Sequence, residues 1–231
     1  MKVEYTEGSD TFEAVVESPQ SKEKLPAVMV FHAWGGRDAF AEEKAKYLAS
    51  LGYVGVAADL YGKGKLGETT EEKTALMTPL MEDRDLLQRR IQAALQMTRS
   101  LENVDPARIG AIGFCFGGLA ALDLARSGSD VRGVVSFHGL FIPLQKKGGE
   151  IKARLLALHG YDDPMATPEQ MKAFMDEMTE VKADWQCLAF GNTKHAFTNP
   201  EANDPKMGTV YQPSSEKRAL LSMTHFLKEI F

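Results

Sequence analysis

The chain has 231 residues, of which 44% are hydrophobic and 26% are charged, a balance typical of a globular protein rather than a disordered one. The formal net charge is −5 and no block of basic residues stands out, which argues against nucleic acid or an anionic membrane as a partner. No apolar stretch approaches the roughly 18 residues that cross a bilayer, and no signal-peptide pattern follows Lys2. We therefore expect a cytoplasmic protein in which Cys115 and Cys187 are both reduced thiols.

Short apolar runs alternate with helical patterns along most of the chain. The first half predicts strands at 3–5, 12–17, 26–32 and 53–59, a helix at Asp38–Leu51, and a helical segment at Glu71–Leu101 with Pro79 as a candidate break. The second half predicts strands at 108–114, 131–138, 153–160 and 184–190, and helices at 116–126, 168–180 and 214–230, with Gly128 closing the first of these helices. Continuous apolar strands between helices predict a parallel sheet covered on both faces, so we expect one α/β domain over residues 1–231.

The stretch GFCFGG, from Gly113 to Gly118, ends a predicted strand and begins a helix. A nucleophile on such a turn needs unusual backbone angles and small residues two positions before and after it, and Gly113 and Gly117 occupy those positions around Cys115. The N-terminus of the helix would lower the thiol pKa, and the Phe116 amide would serve as an oxyanion donor. The alternative is that Cys115 is a small buried side chain of the core.

An acid and a histidine follow Cys115 in the order expected for an α/β-hydrolase triad. The turn HGYDDP comes after one strand and contains two carboxylates. We favour Asp163, directly before Pro164, as the acid, and keep Asp162 as the alternative. His195 lies in the loop after the next strand and is the candidate base. Because each group follows a different strand, all three could meet at one edge of the sheet.

The other histidines have competing interpretations. His138 and His159 precede glycines at strand ends and are interpreted as structural, and His225 falls in the closing helix. His32 follows the strand that commonly provides a second oxyanion amide, so either the Ala33 or the Trp34 amide would complete the oxyanion hole. The substrate pocket is expected to include His32, Phe114, Tyr61 and Phe197. No histidine pair has a metal-ligand spacing, so we expect no metal.

The segments FHAWGG, AADLYGKG, IGAIGFCFGG, ALHGYDDP and HAFTNP, in this order, resemble the dienelactone hydrolase family of α/β-hydrolases. The resemblance runs nearly end to end, and the intervals of 48 residues from Cys115 to Asp163 and 32 residues from Asp163 to His195 also fit. It implies an α/β-hydrolase fold and a Cys-Asp-His triad that cleaves a small ester or lactone through a thioester acyl-enzyme. It also implies that no metal or organic cofactor is needed.

Two positions depart from the family pattern. Family members that cleave dienelactone have a glutamate just after the strand that here ends at His32, and no carboxylate stands there in this chain. They also have an arginine shortly after the catalytic histidine, where this chain has Thr198 and Asn199. The resemblance therefore implies a substrate without the carboxylate that this arginine binds, while Arg37 and Arg84 remain candidate replacements.

Other functions remain open on the sequence. The missing glutamate would also fit a non-catalytic member of the fold that binds a small molecule. A redox-sensing Cys115 is a further alternative, although Cys187, interpreted as a strand core residue, is distant in sequence. The segment Gly62–Thr78 is interpreted as a solvated connection, with a lid as the alternative. The expected partner is a small ester or lactone substrate, and activity should rise through an apparent pKa of about 6 to 8 if His195 is the base.

Overall fold

The computed structural model describes residues 1–145 and 149–231. The strands are β1 (Lys2–Glu7), β2 (Asp10–Glu17), β3 (Leu25–Phe31), β4 (Val54–Ala58), β5 (Val104–Phe114), β6 (Gly133–Phe137), β7 (Arg154–Gly160), β8 (Trp185–Phe190), β9 (Asn203–Asp204) and β10 (Thr209–Val210). The helices are α1 (Ala39–Ser50), α2 (Thr70–Glu82), α3 (Arg84–Ser100), α4 (Phe116–Arg126), α5 (Pro168–Glu180) and α6 (Pro213–Ile230). The chain divides into two compact units, Met1–Ile112 and Gly113–Phe231, so the single domain over 1–231 stays a prediction.

Strands β1 to β8 form a mostly parallel sheet of eight strands in the order β1-β2-β4-β3-β5-β6-β7-β8. In the first unit, β2 pairs antiparallel with β1 and with β4, and β3 runs parallel to β4. In the second unit, β6, β7 and β8 run parallel, and Leu156 of β7 lies opposite Val135 of β6 and Gln186 of β8. The predicted α/β class with a mostly parallel sheet, as in α/β-hydrolases, is confirmed.

The buried strands are the ones whose sequences are continuously apolar. Strands β4 and β6 are buried at every position, as the runs VGVAA and GVVSF predict for strands covered on both faces. The same runs fix where the strands end, because polar residues or glycine follow at once. These ends matter for function, since ligand sites of parallel sheets lie beyond the carboxyl ends of the strands.

The predicted helical segment Glu71–Leu101 is two helices, and Pro79 is not the break. Pro79 lies inside α2, which continues to Glu82. The break falls at Asp83, whose backbone leaves the helical region at φ −112° and ψ 87° and whose carboxylate accepts a hydrogen bond from Leu86 N at 2.8 Å. An aspartate that caps a new helix therefore ends the segment, and the proline is accommodated one turn earlier.

Cys187 is not the core residue that its apolar strand indicates. It lies in β8, the last strand of the sheet, and it is only half-buried. Burial alternates along much of β8, because successive side chains point to opposite faces of the sheet and one of these faces is more exposed here. Burial still raises the pKa of the Cys187 thiol to about 11.

The segment Gly62–Thr78 is a loop followed by the first turns of α2. The loop is largely exposed, and it is held by hydrogen bonds from Lys63 N to Thr11 O at 2.8 Å and from Gly67 N to Gly35 O at 2.9 Å. Helix α2 buries only Leu80. This exposure agrees with the interpretation of Gly62–Thr78 as a solvated connection. Within the described ranges, no helix combines the length and the apolar character needed to span a membrane.

Candidate active site

Cys115 lies on a strained turn between β5 and α4. Its backbone has φ 56° and ψ −118°, a combination that residues with a side chain rarely adopt. A Cβ atom on Gly113 would lie 1.8 Å from Gly117 O, and one on Gly118 would lie 2.7 Å from Gly139 Cα. Glycines are therefore required for the strand and the helix to approach this closely. Cys115 is half-buried while the residues on both sides of it are buried, so the turn presents the thiol.

Asp163 belongs to the turn that follows β7, and its two carboxylate oxygens have different partners. Oδ1 accepts hydrogen bonds from Met165 N at 2.8 Å and Ala166 N at 3.3 Å, which hold the turn. Oδ2 accepts a hydrogen bond from His195 Nδ1 at 2.7 Å. Asp162 is exposed, whereas Asp163 is 1% exposed. Of the two carboxylates, the structure therefore brings Asp163 to the histidine.

His195 is buried and its backbone is held by the β9–β10 hairpin. His195 N donates to Gly208 O, and Val210 N donates to His195 O, each at 3.0 Å. Ala196, the next residue, has a positive φ of 56°, which turns the chain sharply after the histidine. The sequence analysis missed this hairpin because its strands are only two residues long, although Gly208, with φ 84°, marks the turn.

The electrostatics of His195 favour its charged form. Burial alone would lower its pKa, but the negative charge of the Cys115 sulfur and the hydrogen bond to Asp163 raise the pKa of His195 to about 10. The Cys115 sulfur acts on His195 both through its charge and through a side-chain hydrogen bond, and both raise the pKa of His195. The arrangement therefore favours a charged imidazole between the Cys115 sulfur and the Asp163 carboxylate.

His138 lies against His195, although the sequence indicated only a structural histidine at a strand end. The two rings are 5.0 Å apart between centroids with an interplanar angle of 63°. His138 Nε2 is 2.8 Å from Thr198 Oγ1, and its backbone has a positive φ of 38°. The only signal for this contact was the placement of both histidines after strands, which does not predict which side chains touch.

His159 contacts the turn that contains Asp163, which agrees with the structural role predicted for this histidine. Its Nε2 donates a hydrogen bond to Ala166 O at 2.8 Å and lies 3.9 Å from Asp163 Oδ2. The ring packs on Phe141 with centroids 4.7 Å apart. Burial lowers the pKa of His159, so it stays neutral beside the acid.

The predicted pocket and oxyanion residues of the first unit form a connected cluster. His32 is fully buried, with Nδ1 donating to Ala33 O at 2.7 Å and Nε2 accepting from Leu60 N at 3.1 Å. Tyr61 is nearly as buried, and its hydroxyl donates to Trp34 O at 3.0 Å. Two buried side chains thus hold two successive carbonyls of the loop after β3. Burial lowers the pKa of His32, which keeps it neutral in this role.

The predicted pocket residues of the second unit are packed in the core. Phe114 stacks on Phe137 with centroids 4.7 Å apart, and Phe197 contacts the His138 ring at 5.3 Å. Phe116 begins α4 and is fully buried. Their places in the pocket and the oxyanion hole stay predictions. In the described parts of the chain, no group of three or more His, Cys, Asp and Glu side chains is arranged to hold a metal ion.

The strand order and the strand–turn–helix that presents Cys115 define the class of protein, an α/β-hydrolase fold. The model of the dienelactone hydrolase family matches residues 12–231. The chain therefore belongs to the dienelactone hydrolase family, and it is a hydrolase of that kind. The family resemblance of its sequence motifs is confirmed.

Three relatives illustrate the similarity. The solved structure of m3DLH is 38% identical, has a TM-score of 0.95, and covers 100% of this chain and 98% of its own. The dienelactone hydrolase-like promiscuous phosphotriesterase P91 from metagenomic libraries is 35% identical, with a TM-score of 0.95 and the same coverage. A putative carboxymethylenebutenolidase from Aquifex aeolicus is 28% identical over 88% of this chain and 87% of its own length.

Proposed function

We propose that the protein hydrolyses small esters or lactones by nucleophilic catalysis, with Cys115 as nucleophile, His195 as base and acid, and Asp163 as the residue that orients the imidazole. The observation that carries this proposal is the strained turn at Cys115 together with the 2.7 Å bond between Asp163 and His195. A core cysteine needs no such backbone conformation. A nucleophile that must stand clear of strand and helix does.

In the proposed reaction the Cys115 sulfur attacks the carbonyl carbon, and the carbonyl oxygen becomes an oxyanion. The Phe116 amide stabilises that charge, with a second donor from the Ala33 or Trp34 amide. The tetrahedral intermediate collapses to a thioester as the C–O bond of the alcohol breaks, and His195 gives its proton to the leaving oxygen. His195 then takes a proton from water, which attacks the thioester, releases the acid and regenerates the thiolate.

The structure supports a substrate without a carboxylate near the scissile bond. Thr198, which stands near the position of the family arginine, is fully buried and bonds His138. Arg37, one candidate replacement, is occupied by Glu13 at 2.9 Å and by Glu42. Dienelactone itself is therefore a poor candidate, and neutral esters and simple lactones are the preferred class.

A second candidate substrate class is the neutral phosphotriester. It is favoured by the 35% identity to a relative described as a promiscuous phosphotriesterase. The same thiolate would attack phosphorus instead of carbon, and the oxyanion donors would meet a phosphoryl oxygen. The redox-sensing alternative loses support, because a thiol with a pKa of about 11, as at Cys187, is a poor resolving nucleophile.

The deciding experiment compares hydrolysis of p-nitrophenyl acetate, a simple lactone and a p-nitrophenyl phosphotriester by the native chain and by Cys115→Ala, His195→Ala and Cys187→Ala. We expect the first two variants to lose at least about a thousandfold in kcat/KM and the third to retain activity. Iodoacetamide should alkylate Cys115 quickly near neutral pH, and His195→Ala should slow that alkylation. Full activity in Cys115→Ala would refute the proposal, and a slow thiol without activity would favour the non-catalytic binding alternative.

A further inference from the structure

His138 lies where three parts of the second unit meet. The carbonyl of the residue before it, Phe137 O, accepts a hydrogen bond from Cys115 N at 3.1 Å. The amide of His138 donates to Leu158 O of β7 at 2.9 Å, and its Nε2 lies 2.8 Å from Thr198 Oγ1 in the loop after β8. This buried residue and the carbonyl before it therefore join the Cys115 turn, strand β7 and the loop of the candidate base.

The backbone of His138 has a conformation that glycine would adopt with less strain. Its φ of 38° lies in the left-handed region, which is uncommon for a residue with a side chain. Strain of this kind persists where the surrounding contacts hold the residue, and it concentrates at functional sites. A side chain at such a position therefore points to a role for that side chain.

The His138 ring is held against the His195 imidazole by the loop that carries His195. The two ring centroids are 5.0 Å apart, and the Phe197 ring contacts His138 at 5.3 Å with an interplanar angle of 78°. Thr198, the next residue, is fully buried and provides the hydrogen bond to Nε2. Two successive residues of the loop thus hold the His138 ring in place beside the imidazole.

The hydrogen bond to Asp163 does not by itself fix the direction of the His195 ring. The 2.7 Å contact between Nδ1 and Asp163 Oδ2 sets one end of the ring, but the ring can still tilt about that bond. The other end must point at the Cys115 sulfur, which acts on His195 through its charge and a hydrogen bond. A neighbouring ring that blocks the tilt keeps the imidazole aligned with both partners.

We propose that His138 is a positioning residue of the active site, which together with Thr198 holds the His195 imidazole between Asp163 and Cys115. This inference rests on the proposed function, because it assigns a role within the same reaction. His138 takes no proton from the nucleophile or from water in that reaction, and it acts only through the orientation of His195.

The first test removes the hydrogen bond between the two residues from either side. Thr198→Val replaces the hydroxyl with a methyl group of similar size, and His138→Phe keeps a ring but has no Nε2. We expect each to lower kcat for p-nitrophenyl acetate about tenfold to a hundredfold with little change in KM, because a misplaced base affects rate more than binding. Thr198→Ser, which keeps the hydroxyl, should retain most of the activity. Since both single changes remove the same contact, the double variant should lose little more than the larger single loss.

The matched control is Thr193→Val, at a second buried threonine of the same loop. Thr193 is 1% exposed, and its Oγ1 lies 2.7 Å from Ser215 Oγ, so this variant also loses a buried hydrogen bond. We expect it to lower the melting temperature about as much as Thr198→Val does, while kcat stays near the native value. Equal losses of kcat in the two variants would show a general effect of loop stability and overturn the proposal.

The pH profile separates positioning from stability. The titratable groups around the His195 ring are Cys115, Asp163, His138 and His159. The first two raise the pKa of His195 to about 10, and a ring that is held less firmly interacts less well with both. In Thr198→Val, the high-pH fall of kcat/KM for an alkyl ester should therefore move to lower pH by about one unit. The profile of Thr193→Val should match that of the native chain.

Alkylation of Cys115 by iodoacetamide separates a failure of this inference from a failure of the proposed function. Its rate at neutral pH requires no substrate and reports how well His195 stabilises the thiolate. We expect Thr198→Val to be alkylated several times more slowly than Thr193→Val. If Cys115→Ala is inactive but Thr198→Val keeps the native alkylation rate, kcat and pH profile, the inference alone is overturned. Full activity in Cys115→Ala would overturn the proposed function and this inference with it.

Discussion

At the scale of single residues, the Asp163 carboxylate has two roles, because it holds its own turn and also stabilises the charged form of His195. Oδ1 closes the turn with two backbone amides, and Oδ2 is left for His195 Nδ1. Since Nδ1 carries the proton of that bond, Nε2 is the atom available to the thiol. The same bond and the charge of the Cys115 sulfur overcome burial and keep His195 protonated. We therefore expect the resting site to be an ion pair between Cys115 and His195 and not a neutral thiol with a neutral base.

This ion pair changes the expected pH profile. A neutral His195 would give activity that rises through about pH 6 to 8, whereas a His195 pKa of about 10 leaves the pair intact over that range. For an alkyl ester or a lactone, whose leaving oxygen needs a proton, we expect kcat/KM to fall as the pH rises through about 10. A p-nitrophenyl ester should show a weaker fall, because its leaving group needs no proton. Equal profiles for the two substrates, or a rise centred near pH 7, would contradict the ion-pair assignment.

The Gly113→Ala variant tests the turn itself. A Cβ atom there would lie 1.8 Å from the Gly117 carbonyl oxygen, and backbone cannot yield as a side chain can. We expect the free energy of unfolding to fall by about 3 kcal/mol and the activity to be lost. Gly191→Ala is the matched control, because nothing lies within 4 Å of its Cβ position. Urea unfolding of both variants makes the comparison, and equal stabilities would argue against a strained elbow.

At the scale of elements, the short β9–β10 hairpin has the largest influence on the site. It bonds the backbone of His195 through Gly208 and Val210. Gly208 also packs against Pro164, the residue that follows the acid, where a Cβ atom would lie 2.2 Å from Pro164 Cγ. One hairpin therefore fixes the positions of both the base and the turn of the acid relative to each other.

The Gly208→Ala variant should therefore lose activity more than stability. The added methyl would displace the hairpin from Pro164, and a displacement of about 1 Å at the catalytic pair can cost on the order of a hundredfold in rate. Gly64→Ala is the matched control, because its φ of 76° resembles the 84° of Gly208 and nothing lies within 4 Å of its Cβ position. Backbone strain costs each variant about 1 kcal/mol, and Gly208→Ala should lose somewhat more stability than the control because its methyl must displace Pro164. A kcat for p-nitrophenyl acetate that falls equally in both would show that the hairpin contact is not what positions the site.

At the scale of the whole molecule, a buried arginine connects the helix of the nucleophile to a second helix. Arg126 ends α4, is 3% exposed, and bonds Glu177 of α5 at 2.9 and 2.6 Å. It also lies 3.4 Å from Asp123, which is fully buried, and donates to Ile142 O at 3.2 Å. The guanidinium compensates the charge of the fully buried Asp123 and of Glu177, whose side chain is 29% exposed.

Removing the Arg126 guanidinium should lower the stability of the fold. Arg126→Ala removes the positive charge beside the buried Asp123 and the partly buried Glu177, and we expect the free energy of unfolding to fall by about 3 to 5 kcal/mol. Lys172→Ala breaks an exposed ion pair with Asp176, in which both side chains are more than half exposed, and should change stability little. Chemical denaturation measures both variants. A loss in Arg126→Ala no larger than that in the control would show that the pair is well hydrated.

Much of this architecture could be predicted from the chain because the determining signals are local. Helix α5 begins and ends at the predicted residues Pro168 and Glu180, since a Thr167 capping box and an N-terminal proline mark its start. The turn around Cys115 was visible because only glycine fits where backbone meets backbone. The end of α2 was misplaced because proline is a stronger sequence signal than a capping aspartate, and the break instead falls where the exposed Asp83 caps α3 through its hydrogen bond from Leu86 N.

By itself the sequence determined the α/β class, the strand ends, and the order of Cys115, Asp163 and His195 along the chain. Each of these follows from periodicity, glycine placement or spacing, which are properties of neighbouring residues. Only the tertiary structure decided that Asp163 rather than Asp162 bonds His195, that His138 lies against it, and that the β9–β10 hairpin holds it. Those outcomes depend on which groups meet across elements that are far apart in sequence, and a pattern among neighbouring residues does not determine such contacts.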